Sequence, residues 1–128
     1  MAGVKVMGRT PDEQFLHDWV IRSLKAQFGR EYQEVHINPG DEKNYELKGH
    51  YPDAVFENYG QVVMVIEVET AETVNEDEAK QWKEFSKLGA KLSVLVPKEL
   101  HKNAMDICWK NGLAGKINIG SYQVEMKL

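Results

Sequence analysis

The chain has one cysteine in 128 residues, so it can form no internal disulfide and no multi-cysteine zinc site. That residue, Cys108, stands between Ile107 and Trp109 and reads as a buried thiol, which suits a reducing, cytoplasmic compartment. No apolar run nears the roughly 20 residues that cross a bilayer. The segment from Met1 to Arg9 carries no apolar core of signal-peptide length, so export is not expected. Glycine-rich phosphate loops are missing as well: there is neither GxGxxG nor GxxxxGK, and the turn after the fourth strand reads Val96-Pro97-Lys98. Nor is there an excess of base. The net charge is −4, from 20 acids against 16 bases, whereas nucleic-acid proteins are usually basic. The four histidines, His17, His36, His50 and His101, are scattered without zinc-ligand spacing.

What remains is ordinary for one folded domain over residues 1–128: 42% hydrophobic and 28% charged residues, without repeat, linker or low-complexity segment. Thr10-Pro11-Asp12-Glu13 announces a helix, with Thr as N-cap, Pro at the first position and Glu three residues after the cap. Phe15, Leu16, Trp19, Val20, Leu24 and Phe28 follow as an apolar stripe that Gly29 ends. Strands are expected over residues 31–37, 53–57 and 61–69, the last two joined by a turn at Asn58-Tyr59-Gly60. A second helix over 75–88 presents Ala79, Trp82, Phe85 and Leu88. A strand over 92–96, a helix presenting Leu100, Ala104, Ile107 and Cys108, and a strand over 116–124 interrupted by Gly120 complete the order αβββαβαβ. Trp19, Trp82 and Trp109 read as core residues. The strand–helix–strand unit from Gly60 to Val96 predicts a parallel pair, the hairpin an antiparallel one, and the class is α/β with a mixed sheet flanked by helices.

The chemistry concentrates at Tyr51-Pro52-Asp53 and at Val65-Ile66-Glu67-Val68-Glu69. An unbroken run, Val62 to Ile66, delivers two acids to the end of a strand. If the hairpin closes around Tyr59-Gly60, paired positions sum to about 119 or 120 and Asp53 lies opposite Ile66 or Glu67, with Cβ atoms about 5 Å apart. Glu67 and Glu69 share a face because strand side chains alternate. Three carboxylates gathered in this way repel one another, and a hard divalent cation relieves the repulsion. Of the 20 acids, setting aside Glu13, Asp53, Glu67 and Glu69 leaves 16 against the 16 bases, so such a pocket would sit on a neutral remainder.

Pro52-Asp53 on one strand and Glu67-Val68-Glu69 on the next, inside an αβββαβ order, resemble the PD-(D/E)xK nuclease superfamily over about Thr10 to Val96, with a C-terminal helix and strand added. The resemblance implies a restriction endonuclease-like core and a Mg2+- or Mn2+-dependent nuclease acting on nucleic acid, DNA first, with a homodimer as one arrangement of its kin. It implies that Asp53 and Glu67 hold the ion, with the backbone carbonyl of Val68 completing the coordination. Glu13, on the first helix, has two readings: a metal-site glutamate, or the capping partner of Thr10. Gln81 is similar to the helix glutamine that RecB-like members place near the metal. The departure is Glu69, which stands where the family has lysine. Certain type II restriction enzymes also carry Glu there, and Glu69 could bind metal or orient the attacking water. Lys83, with Lys80 and Lys87 as competitors, would then supply the missing cation from the following helix. The same departure, with the acidic balance, admits a catalytically inactive relative serving as a binding or scaffold module.

Overall fold

In the computed structural model, which describes residues 9–125, a single five-stranded mixed sheet is covered on its two faces by helices. The segment Met1 to Arg9, from which export was judged unlikely, lies outside the described residues apart from Arg9 itself. Helix α1 (Pro11–Phe28) is followed by strands β1 (Glu34–Ile37), β2 (Ala54–Asn58) and β3 (Gln61–Val68). Helix α2 (Glu78–Phe85), strand β4 (Lys91–Pro97), helix α3 (His101–Lys110) and strand β5 (Asn118–Tyr122) complete the order. The strands lie in sequence order, with β1–β2 and β2–β3 antiparallel and β3–β4 and β4–β5 parallel. Among the described residues no helix is long and apolar enough to cross a membrane.

The hairpin register contains both expected sums. Next to the turn Asn58 pairs with Gln61 and Glu57 with Val62; beyond an irregularity at Phe56/Glu57, Phe56 pairs with Met64 and Ala54 with Ile66. Val63 is the extra residue of a bulge. Tyr59 (φ 53°) and Gly60 (φ 75°) both take the left-handed conformation that a two-residue hairpin turn needs. Extending the inner register by one position sets Asp53 opposite Glu67.

Alternation along β3 divides the core. Val65, Val94 and Val96 pack with Trp82, Phe85, Ala104 and Ile107 under α2 and α3, whereas Ile66, Val68, Ala54 and Phe56 pack with Val20, Ile21 and Leu24 of α1. Three expectations need correction here. The buried stripe of α1 is His17, Val20, Ile21 and Leu24, rotated away from Phe15 (71% exposed) and Trp19 (47% exposed). Trp109 is 78% exposed, so of the three tryptophans only Trp82 is a core residue. Gly120 does not interrupt β5; a Cβ there would come within 2.7 Å of Leu95 Cδ2, so the missing side chain makes room for its neighbour on β4. Gly29 likewise ends α1 in right-handed conformation (φ −62°), its N–H bonded to the Lys25 carbonyl.

The rotated stripe makes opposite demands on two apolar residues of the same helix. Ile21→Ala should cost about 2–5 kcal/mol, because a fully buried side chain leaves a cavity. Phe15→Ala should stay within about 0.5 kcal/mol. Urea unfolding of both variants checks this, and equal losses would mean that α1 docks through the face read from the sequence.

Candidate functional site

Where the β2–β3 ladder ends, side chains take over from the backbone. The Asp53 N–H donates to Glu67 Oε2 at 2.8 Å, and the Val68 N–H donates to Asp53 Oδ2 at 2.8 Å. Each acid is therefore fixed by the main chain of the other strand, and the two carboxylates stand side by side at one end of the sheet. Gln81 of α2 donates its amide to Glu67 Oε1 at 2.7 Å. Glu67 is 3% exposed, and Asp53 keeps 15% of its side chain accessible.

From the opposite face α1 contributes His17, which carried no weight in the sequence. Its Nε2 lies 3.1 Å from Asp53 Oδ2 and its Nδ1 2.9 Å from Asp18 Oδ1. Asp18 Oδ1 also accepts from Gln14 Nε2 at 2.9 Å and from the Gly40 N–H at 3.0 Å. Burial works against a charge on His17, but the Asp53 carboxylate, by charge and hydrogen bond, outweighs it, Asp18 adds to it, and the imidazole is held above its ordinary value of 6.5. In the imidazolium form both ring nitrogens donate, one to each aspartate. The signal was available: His17 is one turn beyond Glu13 on the face that carries Val20, Ile21 and Leu24. A polar residue within a buried helix stripe needs a partner.

Glu69 is not with them. It is 2% exposed, and its Oε1 accepts from the Thr73 hydroxyl at 2.6 Å and its Oε2 from the Trp82 indole at 2.8 Å. Arg9 Nη2 stands 3.5 Å from Oε1 while the same guanidinium bonds Thr70, Thr73 and the Val68 carbonyl, the last at 3.2 Å. Burial first, then the Glu78 and Asp53 carboxylates, push Glu69 up to about 8, against the hydrogen bonds from Thr73 and Trp82. The shared guanidinium of Arg9 does not reverse the cost of desolvation.

The remaining expected residues are elsewhere. Glu13 Oε1 accepts from the Glu72 N–H at 3.3 Å, and Glu72, not Glu13, takes the Thr10 N–H, at 2.7 Å; the capping box is thus divided between α1 and the loop after β3. Lys83 is exposed on α2, two positions and so about 200° around the helix from Gln81. Asp53, Glu67 and Glu69 do not bring one oxygen each within 4.8 Å of one another; among the described residues the group that offers three ligand atoms so close is Glu34, His36 and Glu57. The structure brings together Asp53, Glu67 and Gln81, adds His17, and holds Glu69, Glu13 and Lys83 apart.

As a donor set, Asp53 and Glu67 are hard oxygen ligands of the kind Mg2+ and Mn2+ accept, usually beside retained water. Glu69 does not suit that role, because burial favours its neutral form and the Arg9 guanidinium already stands 3.5 Å from Oε1. The Val68 carbonyl is already engaged by a guanidinium. Comparison of the chain with protein-family models, curated proteins and solved structures finds no match.

The titrations make stability depend on pH. Glu69 has a folded value above its ordinary 4.5, so the folded chain holds a proton that the unfolded chain releases, and stability falls as pH rises from about 4.5 to about 8. The raised His17 acts in the same direction: its contribution is complete below 6.5 and is lost as pH passes its folded value. Urea unfolding between about pH 5 and pH 9 should show wild-type stability declining and a shallower decline for Glu69→Gln. Parallel curves would mean that Glu69 is ionised throughout.

Proposed function

We propose that the chain is a metal-dependent nuclease of the PD-(D/E)xK type, with a restriction endonuclease-like core, that hydrolyses phosphodiester bonds in nucleic acid, DNA first. The reading rests on the acid pair Asp53–Glu67, fixed side by side across the ends of β2 and β3 and held from opposite faces by His17 and Gln81. Asp53 and Glu67 would hold a Mg2+ or Mn2+ ion, which when bound supplies a hydroxide-generating, charge-neutralising centre for phosphoryl chemistry. His17 orients Asp53 and offsets its charge, anchored in turn by Asp18. Gln81 fixes the Glu67 carboxylate against rotation. Glu69 keeps α2 and the loop at 70–73 in place through Trp82 and Thr73, a positioning role instead of the water-activating role its motif place implies. Lys83 would meet only the substrate backbone, from the solvent face of α2.

The second reading, a binding or scaffold module without catalysis, is favoured by one specific observation: Arg9 occupies the Val68 carbonyl and lies against Glu69, where the resemblance calls for a metal and a lysine.

Labelled DNA and RNA substrates with Mg2+ or Mn2+ separate the two. Cleavage should fall to background in Asp53→Asn and Glu67→Gln and survive in Glu69→Gln. In His17→Ala it should drop on the order of 10–100-fold, as expected for loss of a ligand's hydrogen-bonding partner. Lys83→Ala should change it only a few-fold. Mn2+ should also raise the melting temperature of the wild type and not of Asp53→Asn. Cleavage that is undiminished in Asp53→Asn refutes the assignment, and no cleavage together with no Mn2+ stabilisation favours the scaffold.

A further inference from the structure

A second group of ligand-type side chains lies at the other end of the hairpin. Glu34 and His36 on β1 and Glu57 on β2 point to one face, and each offers a donor atom within 4.8 Å of the others. Glu57 is four residues from Asp53, about 13 Å along the strand, so this group is separate from the acid pair. Three features distinguish it from an ordinary acidic surface.

The first is an orphaned atom. His36 Nε2 is buried and has no hydrogen-bond partner. It stands 3.4 Å from Glu34 Oε2 and 3.4 Å from Glu57 Oε2, too far for a good N–H···O bond. Two ligands at zinc-type bond lengths of 2.0–2.1 Å on a tetrahedral centre are about 3.3–3.4 Å apart, whereas octahedral geometry brings them to about 3.0 Å. The spacing at His36 is the tetrahedral one.

The second is support behind the ligands. Tyr45 donates its hydroxyl to Glu57 Oε2 and stacks on the His36 ring, with centroids 4.0 Å apart at 10°. Tyr45 is itself clamped: its N–H donates to Asn38 Oδ1 at 2.9 Å and its carbonyl accepts from Asn38 Nδ2 at 2.9 Å. Hydrogen bonds and stacking from behind are what fix ligand orientation at metal centres. The third is access: Glu34 and Glu57 line an open groove of about 540 Å³ with Gln33, Tyr59 and Gly60.

We propose that Glu34, His36 and Glu57 form a metal site for a tetrahedral divalent transition ion of the Zn2+ class, its fourth position open to the groove, with Tyr45 as a positioning residue. One imidazole and two carboxylates favour such an ion over Mg2+, which selects oxygen ligands in octahedral array. The site does not depend on the nuclease reading.

Co2+ is the probe, because a tetrahedral site gives it intense visible absorption and an octahedral oxygen site does not. The full chain should take up Co2+ with that absorption and release it to Zn2+. Glu34→Gln alters a side chain that is 61% exposed, so the fold survives, and Co2+ affinity should fall at least tenfold. His36→Gln should abolish the band, and Tyr45→Phe should weaken binding about 10–100-fold. Asp53→Asn, which removes the other candidate ion, should leave the band intact. A wild type without tetrahedral absorption, a band that survives both Glu34→Gln and His36→Gln, or a band lost in Asp53→Asn would overturn the proposal.

Discussion

Two hydrogen bonds hold this molecule's architecture to its chemistry: Asp53 N–H to Glu67, and Val68 N–H to Asp53. They extend the β2–β3 pairing by one step after the regular ladder stops, using carboxylates where carbonyls would otherwise serve. A buried amide must find an acceptor, and here the acceptors are the acids themselves. Both helix layers then converge on the same pair, α1 through His17 and α2 through Gln81. The sheet is sandwiched, yet at this edge its two faces communicate through adjacent side chains.

Glu69 shows how one position along a strand changes a residue's meaning. Glu67, one residue before the end of β3, takes the Gln81 amide and the Asp53 N–H, while Glu69, just past the strand, is carried beneath Trp82, Thr73 and Arg9. An acid in such surroundings is held largely as a neutral group or as one whose charge is shared among donors, and it behaves as a buried polar tie. Removing water from a carboxylate costs more than a few neutral hydrogen bonds return, and that balance decides its protonation. The glutamate at position 69 is thus explained by packing alone, whatever chemistry its neighbours perform.

Much of the fold was legible. The order of elements, the parallel crossover after β3, the hairpin and its register, and the core face of α2 follow from strong signals: period-two alternation, a Tyr-Gly turn, apolar residues three and four apart. The juxtaposition of Asp53 and Glu67 was legible in the acids on facing strands. What stayed hidden depends on tertiary choice. Helix α1 carries more apolar residues than one face can bury, so docking alone decides that Phe15 and Trp19 remain outside, whereas the place of His17 in line with Val20, Ile21 and Leu24 was there to be read. Trp109 belongs to the same difficulty, because a short amphipathic helix has only one sheet to lie on. Arg9 was invisible because its partners, Thr70, Thr73 and Val68, are some sixty residues away.

The bulge at Val63 has a wider meaning. Pairing on its two sides runs in different phase, so Val62 joins the α2-side core although Met64 lies toward α1. The β2–β3 hairpin is in effect two short ladders joined at one residue, one running toward Asp53 and Glu67, the other holding Glu57 opposite Val62 beside the turn. Length changes near the tip can be absorbed at that joint without turning the acids over, whereas trimming the joint itself would transmit every slip from the tip to the far rim. An insertion or deletion at 63 should therefore shift strand phase along the hairpin, whereas residues 58–61 answer instead to the positive φ of Tyr59 and Gly60.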